Sequence, residues 1–283
     1  AFNQVDGTPN RAISAWISRT GWDSASDSLV FASAYDLSYT NDHIGSGNPA
    51  SYKIWKNGWV LDEAGGAKKT GEGLSSNMIV FGGAANLKTS TQFQDLTLTA
   101  GGDPSVASSW AYSRIDATNA YTPAAGVSRA LRHIVHLKAP GTQDYVIVYD
   151  DTLSSVGTTK GINLYYDKTS GETSGMATMT LPDLVWTGPN RKLSTKVLLP
   201  ATAALTSTTA TNGYKEHICA SVDGATCDAA NMSAEFLVIH RPSSALGDAM
   251  PAVTLLASDT NFRVVQTAAP DAKVAAFPRS GGT

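Results

Sequence analysis

The sequence predicts an all-β protein, a large antiparallel two-sheet β-sandwich with few or no helices. Three observations predict it. Apolar and polar residues alternate in short runs such as AISAWISR (12–19) and LVFASAYDLS (29–38), the period-two pattern of half-buried strands. Gly, Pro, Asn, Asp and Ser separate these runs at spacings of about 8–15 residues. Nothing sustains an i, i+3, i+4 apolar stripe for more than about two helical turns.

The elements follow in order. Residues 1–10 read as a loose lead-in, and 278–283 as a loose tail. After the first two strands comes a loop carrying Asn41, Asp42 and His43. SYKIW (51–55) and WVLDEA (59–64) read as a β-hairpin joined at Asn57-Gly58, because Asn and Gly tolerate the positive φ of a tight hairpin turn. NMIVFGG (77–83) is a short buried strand, and 84–107 hold at most one strand, near FQDLTLT (93–99). SSWAYSRIDATNAY (108–121) and SRALRHIVHLKA (128–139) make an antiparallel pair, followed by DYVIVYDDTL (144–153) and GINLYYD (161–167). Further strands are expected at 183–187, 192–199, 215–222, 234–240, 252–257, 261–266 and 272–277. No repeat of 20–50 residues is visible, which argues against a propeller or solenoid. No composition break marks a linker, so residues 1–283 are expected to form one domain.

Composition narrows the function. Only 16% of residues are charged, with Ser, Thr, Ala and Gly in their place, a balance that suits an exported bacterial β-protein. The net charge is −3 and no Lys/Arg block exceeds two residues, which argues against nucleic acid as a partner. Basic side chains focused in one cleft would still suit an acidic polysaccharide. No apolar run reaches the roughly 20 residues that a membrane span needs. The start, AFNQVDGTPN, has neither a basic head nor an apolar core, so any export leader is expected to have been removed.

Cys219 and Cys227 frame CASVDGATC. With Val222-Asp223-Gly224 as a three-residue hairpin loop and Gly224 left-handed, the two cysteines fall opposite one another. A cross-strand disulfide is expected, worth about 2–3 kcal/mol on loop entropy; two free buried thiols are the alternative. A disulfide places the protein in an oxidising compartment, secreted or periplasmic.

The five histidines can each be weighed. His133 and His136 are three apart on a strand, hence on opposite faces, and cannot share an ion. His217 and His240 also read as structural. His43 differs, since its Gly-rich loop lets backbone and side chains surround a ligand, although a hydrogen-bonded anchor is the plainer role. Asp150 and Asp151 read as an acidic turn. Trp55, Trp59 and Trp110 are the first choices for a sugar-stacking surface, against a default of core packing. No G-x-S-x-G, H-E-x-x-H, C-x-x-C, P-loop or G-x-G-x-x-G motif is present, which argues against the common hydrolase, zinc-enzyme and nucleotide-binding classes.

The order of motifs adds to this. SAWISRTGWDSASDSLVFASA, then NDHIGSGNPASYKIWKNGWVLDEAG, then SSNMIVFGG, with Asp116–Tyr121, 132–151 and KLSTKVLLPATA (192–203) downstream, resemble the heparinase II/III-like β-sandwich domain of polysaccharide lyases, C-terminal in that family. The resemblance implies β-elimination of a uronic-acid-containing polysaccharide, in a cleft shared with an N-terminal α/α toroid for which this chain shows no helical pattern. It implies Asn41 and His43 as the cleft residues, at the family's H-x-H position, with Asp62 orienting His43. It also implies a zinc site of which His43 and Asp62 remain, while Ser76 stands at the third ligand position. Trp55 and Trp59 would then bind substrate. The alternative is a non-catalytic carbohydrate-binding or self-assembling module, a homo-oligomer, derived from that fold.

Overall fold

The protein, described here from a computed structural model, is all-β. The structure describes residues 2–5, 12–21, 24, 27–35, 50–62, 77–82, 97–102, 109–138, 144–167, 176–210, 213–268 and 272–279. Asn41, His43 and Ser76 lie outside these residues.

A five-stranded sheet joins β1 (Phe2–Val5), β2 (Ala12–Arg19), β3 (Ser28–Tyr35), β4 (Ser51–Lys56) and β5 (Trp59–Leu61) in sequence order. A four-stranded sheet contains β6 (Ile79–Phe81), β11 (Lys160–Asp167), β15 (Ala203–Ala210) and β16 (Gly213–Ala220). These two adjoin at β5 and β11, where the Asp62 amide donates to the Tyr165 carbonyl. Facing them is an eight-stranded sheet of β7 (Thr97–Gly102), β8 (Trp110–Asp116), β9 (Val127–Leu137), β10 (Tyr145–Ser154), β12 (Met176–Thr180), β13 (Asp183–Thr187), β14 (Lys192–Leu199) and β17 (Ser233–Ser243). A three-stranded sheet of β18 (Val253–Ser258), β19 (Phe262–Thr267) and β20 (Val274–Pro278) lies against the outer face of the eight-stranded one. Every pairing is antiparallel.

The expected two-sheet sandwich is therefore present, with one face split in two and a third small layer added. The central strands explain why. On β10, Val146 and Val148 enter the large core beneath the five- and four-stranded sheets, while Tyr145, Ile147 and Tyr149 enter a second core beneath β18–β20. A strand buried on both faces reads as a continuous apolar run, which is how YVIVY arises. On β17 Phe236 and Val238 take the first core, and Leu237 and Ile239 the second.

Several details differ from the sequence reading. Residues 2–5, assigned to a loose lead-in, pair with β2. Strands β12 and β15 had no counterpart in the sequence reading. Asp150 and Asp151 are not a turn but part of β10, which continues to Ser154. The 215–222 strand ends at Ala220.

Candidate functional site

The hairpin β4–β5 forms as its turn chemistry predicts. Asn57 and Gly58 have φ of 54° and 117°, the left-handed region that these two residue types enter most readily. The turn rests on the β13–β14 connection. Arg191 donates from Nε to the Trp59 carbonyl at 3.0 Å and stacks over Trp186 at 5.4 Å, and the Asn57 amide reaches the Asn190 carbonyl at 3.3 Å.

Strand alternation divides the hairpin. Tyr52 and Ile54 are fully buried, whereas Lys53 and Trp55 are half-exposed on the other face. Trp55 pairs in register with Trp59, itself half-exposed. Lys53 lies 5.7 Å from the centre of the Trp59 ring and 2.8 Å from Asp62 Oδ1. The outer face of the hairpin thus carries two tryptophans, an ammonium and a carboxylate side by side. The sequence reading found Trp55, Trp59 and Asp62 but missed Lys53. Its signal was present, since a lysine in the outward phase of SYKIW can reach an acid at the far end of the partner strand.

Beneath this face, Asn77 holds the hairpin to its neighbours. Its Nδ2 donates to the Tyr52 carbonyl (2.7 Å) and the Asp62 carbonyl (2.9 Å), and its Oδ1 accepts from the Tyr165 amide (2.6 Å). The Asn77 carbonyl accepts in turn from Arg132 Nη1 at 2.5 Å, and the same nitrogen donates to the Ala50 carbonyl at 2.6 Å. Arg132 therefore holds Ala50, just before β4, and Asn77, just before β6.

The histidines of the described residues are structural, as expected. His240 lies between the Tyr52 hydroxyl at Nε2 (2.7 Å) and Thr195 Oγ1 at Nδ1 (2.8 Å). Burial pushes its pKa down to about 3, helped by the Arg132 charge, so the ring is neutral. His133 and His136 do fall on opposite faces of β9, against Tyr112 (2.7 Å) and Ser18 (2.9 Å) respectively. Burial lowers each to about 4. His217 Nδ1 is 2.8 Å from Asn163 Oδ1.

Of the two expected zinc ligands, His43 lies outside the described residues and Asp62 is ion-paired with Lys53. Among the described residues, the one group of three converging donors is His217, Cys219 and Cys227, and its two sulfurs are joined as a disulfide, leaving a single ligand. The Cys219–Cys227 bridge itself is as expected, with Cα atoms 5.4 Å apart. The surrounding hairpin is not. Cys219 sits on β16, but 222–227 form bends rather than a returning strand. Asp223 and Asp228 cap these bends through the amides of Ala225 (2.8 Å) and Val222 (2.9 Å), so side-chain acceptors replace the strand ladder. Gly224 is left-handed as predicted, at φ 80°.

Comparison with known proteins places this architecture. No family model and no curated protein sequence matches the chain. Solved structures do match in fold, among them the following three. The crystal structure of heparinase III aligns at TM-score 0.62 and 11% identity, over 96% of this chain and 43% of that one. The heparinase III BT4657 gene product aligns at 0.61 and 10%, over 98% and 42%. A mutant of the heparan sulfate lyase HepC from Pedobacter heparinus aligns at 0.65 and 9%, over 100% and 43%. The chain thus spans under half the length of each. It is an all-β sandwich whose fold, over its whole length, is that of the corresponding part of the heparinase III structures.

Proposed function

We propose that the chain is the β-sandwich part of a secreted polysaccharide lyase, cleaving a uronic-acid-containing polysaccharide by β-elimination together with a helical partner domain. The observation that carries the reading is the outer face of the hairpin. Trp55 and Trp59 offer flat apolar rings to the C–H faces of sugars, and Lys53 offers a cation to an acidic group. Strand β4, which carries Lys53 and Trp55, begins at Ser51, eight residues after His43 in the sequence. The likeness of fold to heparinase III structures supports the same reaction class, and the disulfide supports an oxidising compartment.

In this reading the Asn41 amide hydrogen-bonds the uronate carboxylate and lowers the cost of carbanion character on the adjacent carbon. A base removes the proton from that carbon. The electron pair forms a C=C bond as the C–O bond to the neighbouring sugar breaks, and the leaving oxygen takes up a proton. Asn41 has no basic atom for the first step, so His43 is the proton-transfer group of this chain, its unperturbed pKa lying close to neutrality. Asp62 orients His43. No step runs through zinc.

The test joins the chain to the helical segment of its precursor and follows the ultraviolet absorbance of unsaturated uronate products on a panel of acidic glycans. Turnover that Asn41→Ala and His43→Ala each abolish supports the proposal. Turnover unchanged by both variants overturns the site. Glycan binding with no turnover in any combination replaces the lyase with a non-catalytic binding module.

A further inference from the structure

A second surface lies on the opposite side of the eight-stranded sheet from the hairpin. On β8, Ala111 and Ile115 enter the large core, so Trp110, Tyr112 and Arg114 point the other way. There a groove of about 620 Å³ runs between the outer face of the sheet and the last strand of the small one. Its floor is Trp110, Tyr112, Val135 and Leu137, and its wall is β20 with Lys273 at one end. That volume is typical of ligand sites.

The floor is firmly supported. The Tyr112 hydroxyl is 2.7 Å from His133 Nδ1, and His133 packs against both Tyr149 and Phe277, with ring centres 5.7 Å and 6.2 Å away. Trp110 stays 48% exposed despite its size. The groove therefore presents an open indole beside an aromatic ring whose position is held from behind. Among the described residues that line it, Lys273 is the one charged side chain. Arg114 follows Tyr112 on the same face of β8, and its positive charge reaches both Tyr112 and His133.

We propose that this groove is an ancillary binding site for an acidic oligosaccharide, separate from the hairpin face. Pyranose rings stack on Trp110 and Tyr112, and carboxylate or sulfate groups meet Lys273 and Arg114. The chemistry favours this over an added peptide strand. β20 ends in Pro278, which has no N–H for a ladder, and its Val274, Ala275 and Ala276 side chains explain neither the half-exposed indole nor the lysine at the groove's end. The inference rests on the acidic-glycan reading for its ligand class but not on catalysis. An ancillary site of this kind holds the polymer near the cleft and raises its effective concentration there.

The test measures binding of the 283-residue chain to heparin, polygalacturonate and neutral dextran by affinity electrophoresis at two salt concentrations. The expected result is salt-sensitive retention on an acidic polymer, weakened about 3- to 10-fold by Trp110→Ala and by the pair Lys273→Gln with Arg114→Gln. Unchanged thermal unfolding of these variants shows that the fold is intact. Trp55→Ala with Trp59→Ala leaves the groove's share of the retention in place. Retention lost with the hairpin variants and untouched by Trp110→Ala overturns the groove while sparing the proposed function. Retention on no polymer overturns the groove outright, and lyase turnover in the joined protein is then judged on its own. A change in oligomeric state with Trp110→Ala, without any change in glycan retention, assigns the groove to self-association and overturns the inference.

Discussion

Arg132 and Asp150 face each other across β9 and β10 in a two-point ion pair, Nε to Oδ1 and Nη2 to Oδ2, both at 2.7 Å and both with side chains 1% exposed. Burial, the larger influence, raises the Asp150 carboxyl, and the guanidinium opposes it. The remaining guanidinium nitrogen holds the Ala50 and Asn77 carbonyls, and the whole group lies over the Tyr52 ring at 5.0 Å. One residue of the eight-stranded sheet thereby sets the positions of two chain segments in the opposite layer.

Breaking this pair from one side leaves a buried charge without compensation. Arg132→Met is expected to lower stability by about 3–5 kcal/mol, read as a fall in the urea midpoint with little change in slope. Adding Asp150→Leu to it is expected to recover part of the loss, because the stranded carboxylate is then removed as well. A single-variant loss under about 1 kcal/mol would show that the pair does not organise the core.

Acid should unfold the protein earlier than its carboxylates alone require. His133, His136 and His240 have folded pKa values near 4, 4 and 3, against 6.5 in an open chain. Below about pH 6.5 the unfolded chain binds protons that the folded one refuses, so stability falls as pH drops from 6.5 towards 4 and is flat on this account above 6.5. Each ring contributes roughly 1.4 kcal/mol per pH unit within that window. Urea titrations at pH 7, 6 and 5 check this. His240→Gln is expected to lower stability at pH 7 but to reduce proton uptake on unfolding at pH 5 by about one. An unchanged slope would place another group behind the acid sensitivity.

Loss of the disulfide should cost stability without altering the sheets. The bridge closes a short loop, with Cys219 and Cys227 eight residues apart. Loop-closure entropy alone gives about 2–3 kcal/mol. Cys227→Ser is expected to lose that amount, and reductant is expected to destabilise the native chain but not the variant. Reductant acting equally on both would remove the bridge from the account.

Gly58→Ala tests the hairpin turn. Gly58 has φ 117°, and a Cβ there would approach Arg191 Cζ to 2.9 Å. Strain and the displaced arginine together predict a loss of about 1–3 kcal/mol, with Trp59 fluorescence shifted as its strand loosens. Asn57→Gly in the same turn should cost less, since Gly also accepts its φ of 54° and only the exposed bond to the Asn190 carbonyl is lost.

What could be read from the sequence depended on how local the cause was. The Asn57-Gly58 turn and the Cys219–Cys227 pairing are set by residues within a few positions of each other, and both were legible. The double-sided burial of β10 was visible as YVIVY, although the third sheet beneath it was not. Strand β15, ALTSTTA within 203–210, carries mostly small polar residues and, among the described residues, pairs with β16 alone, so it shows little apolar alternation. The Arg132 clamp joins residues 18, 55 and 82 positions apart, and no local pattern announces it. Of the site residues read from the sequence, Trp55, Trp59 and Asp62 share the hairpin face, and Lys53 joins them through an ion pair that spacing alone does not reveal.

Lys53 separates the architecture of that face from its proposed use. Its ion pair with Asp62 is about one-fifth exposed on both sides, and pairs of that kind contribute roughly 0–1 kcal/mol after screening. Lys53→Gln is therefore expected to leave unfolding almost unchanged. If the face receives an acidic glycan, however, the same variant removes the cation beside Trp59 and should weaken binding of uronate-rich polymers, with a shallower dependence on salt. Asp62→Asn should do the reverse, strengthening that binding by freeing the ammonium from its internal carboxylate. Polymer affinity measured for both variants at low and moderate salt decides the point. Opposite shifts place substrate on this face, whereas parallel losses would mean that the pair only shapes the hairpin.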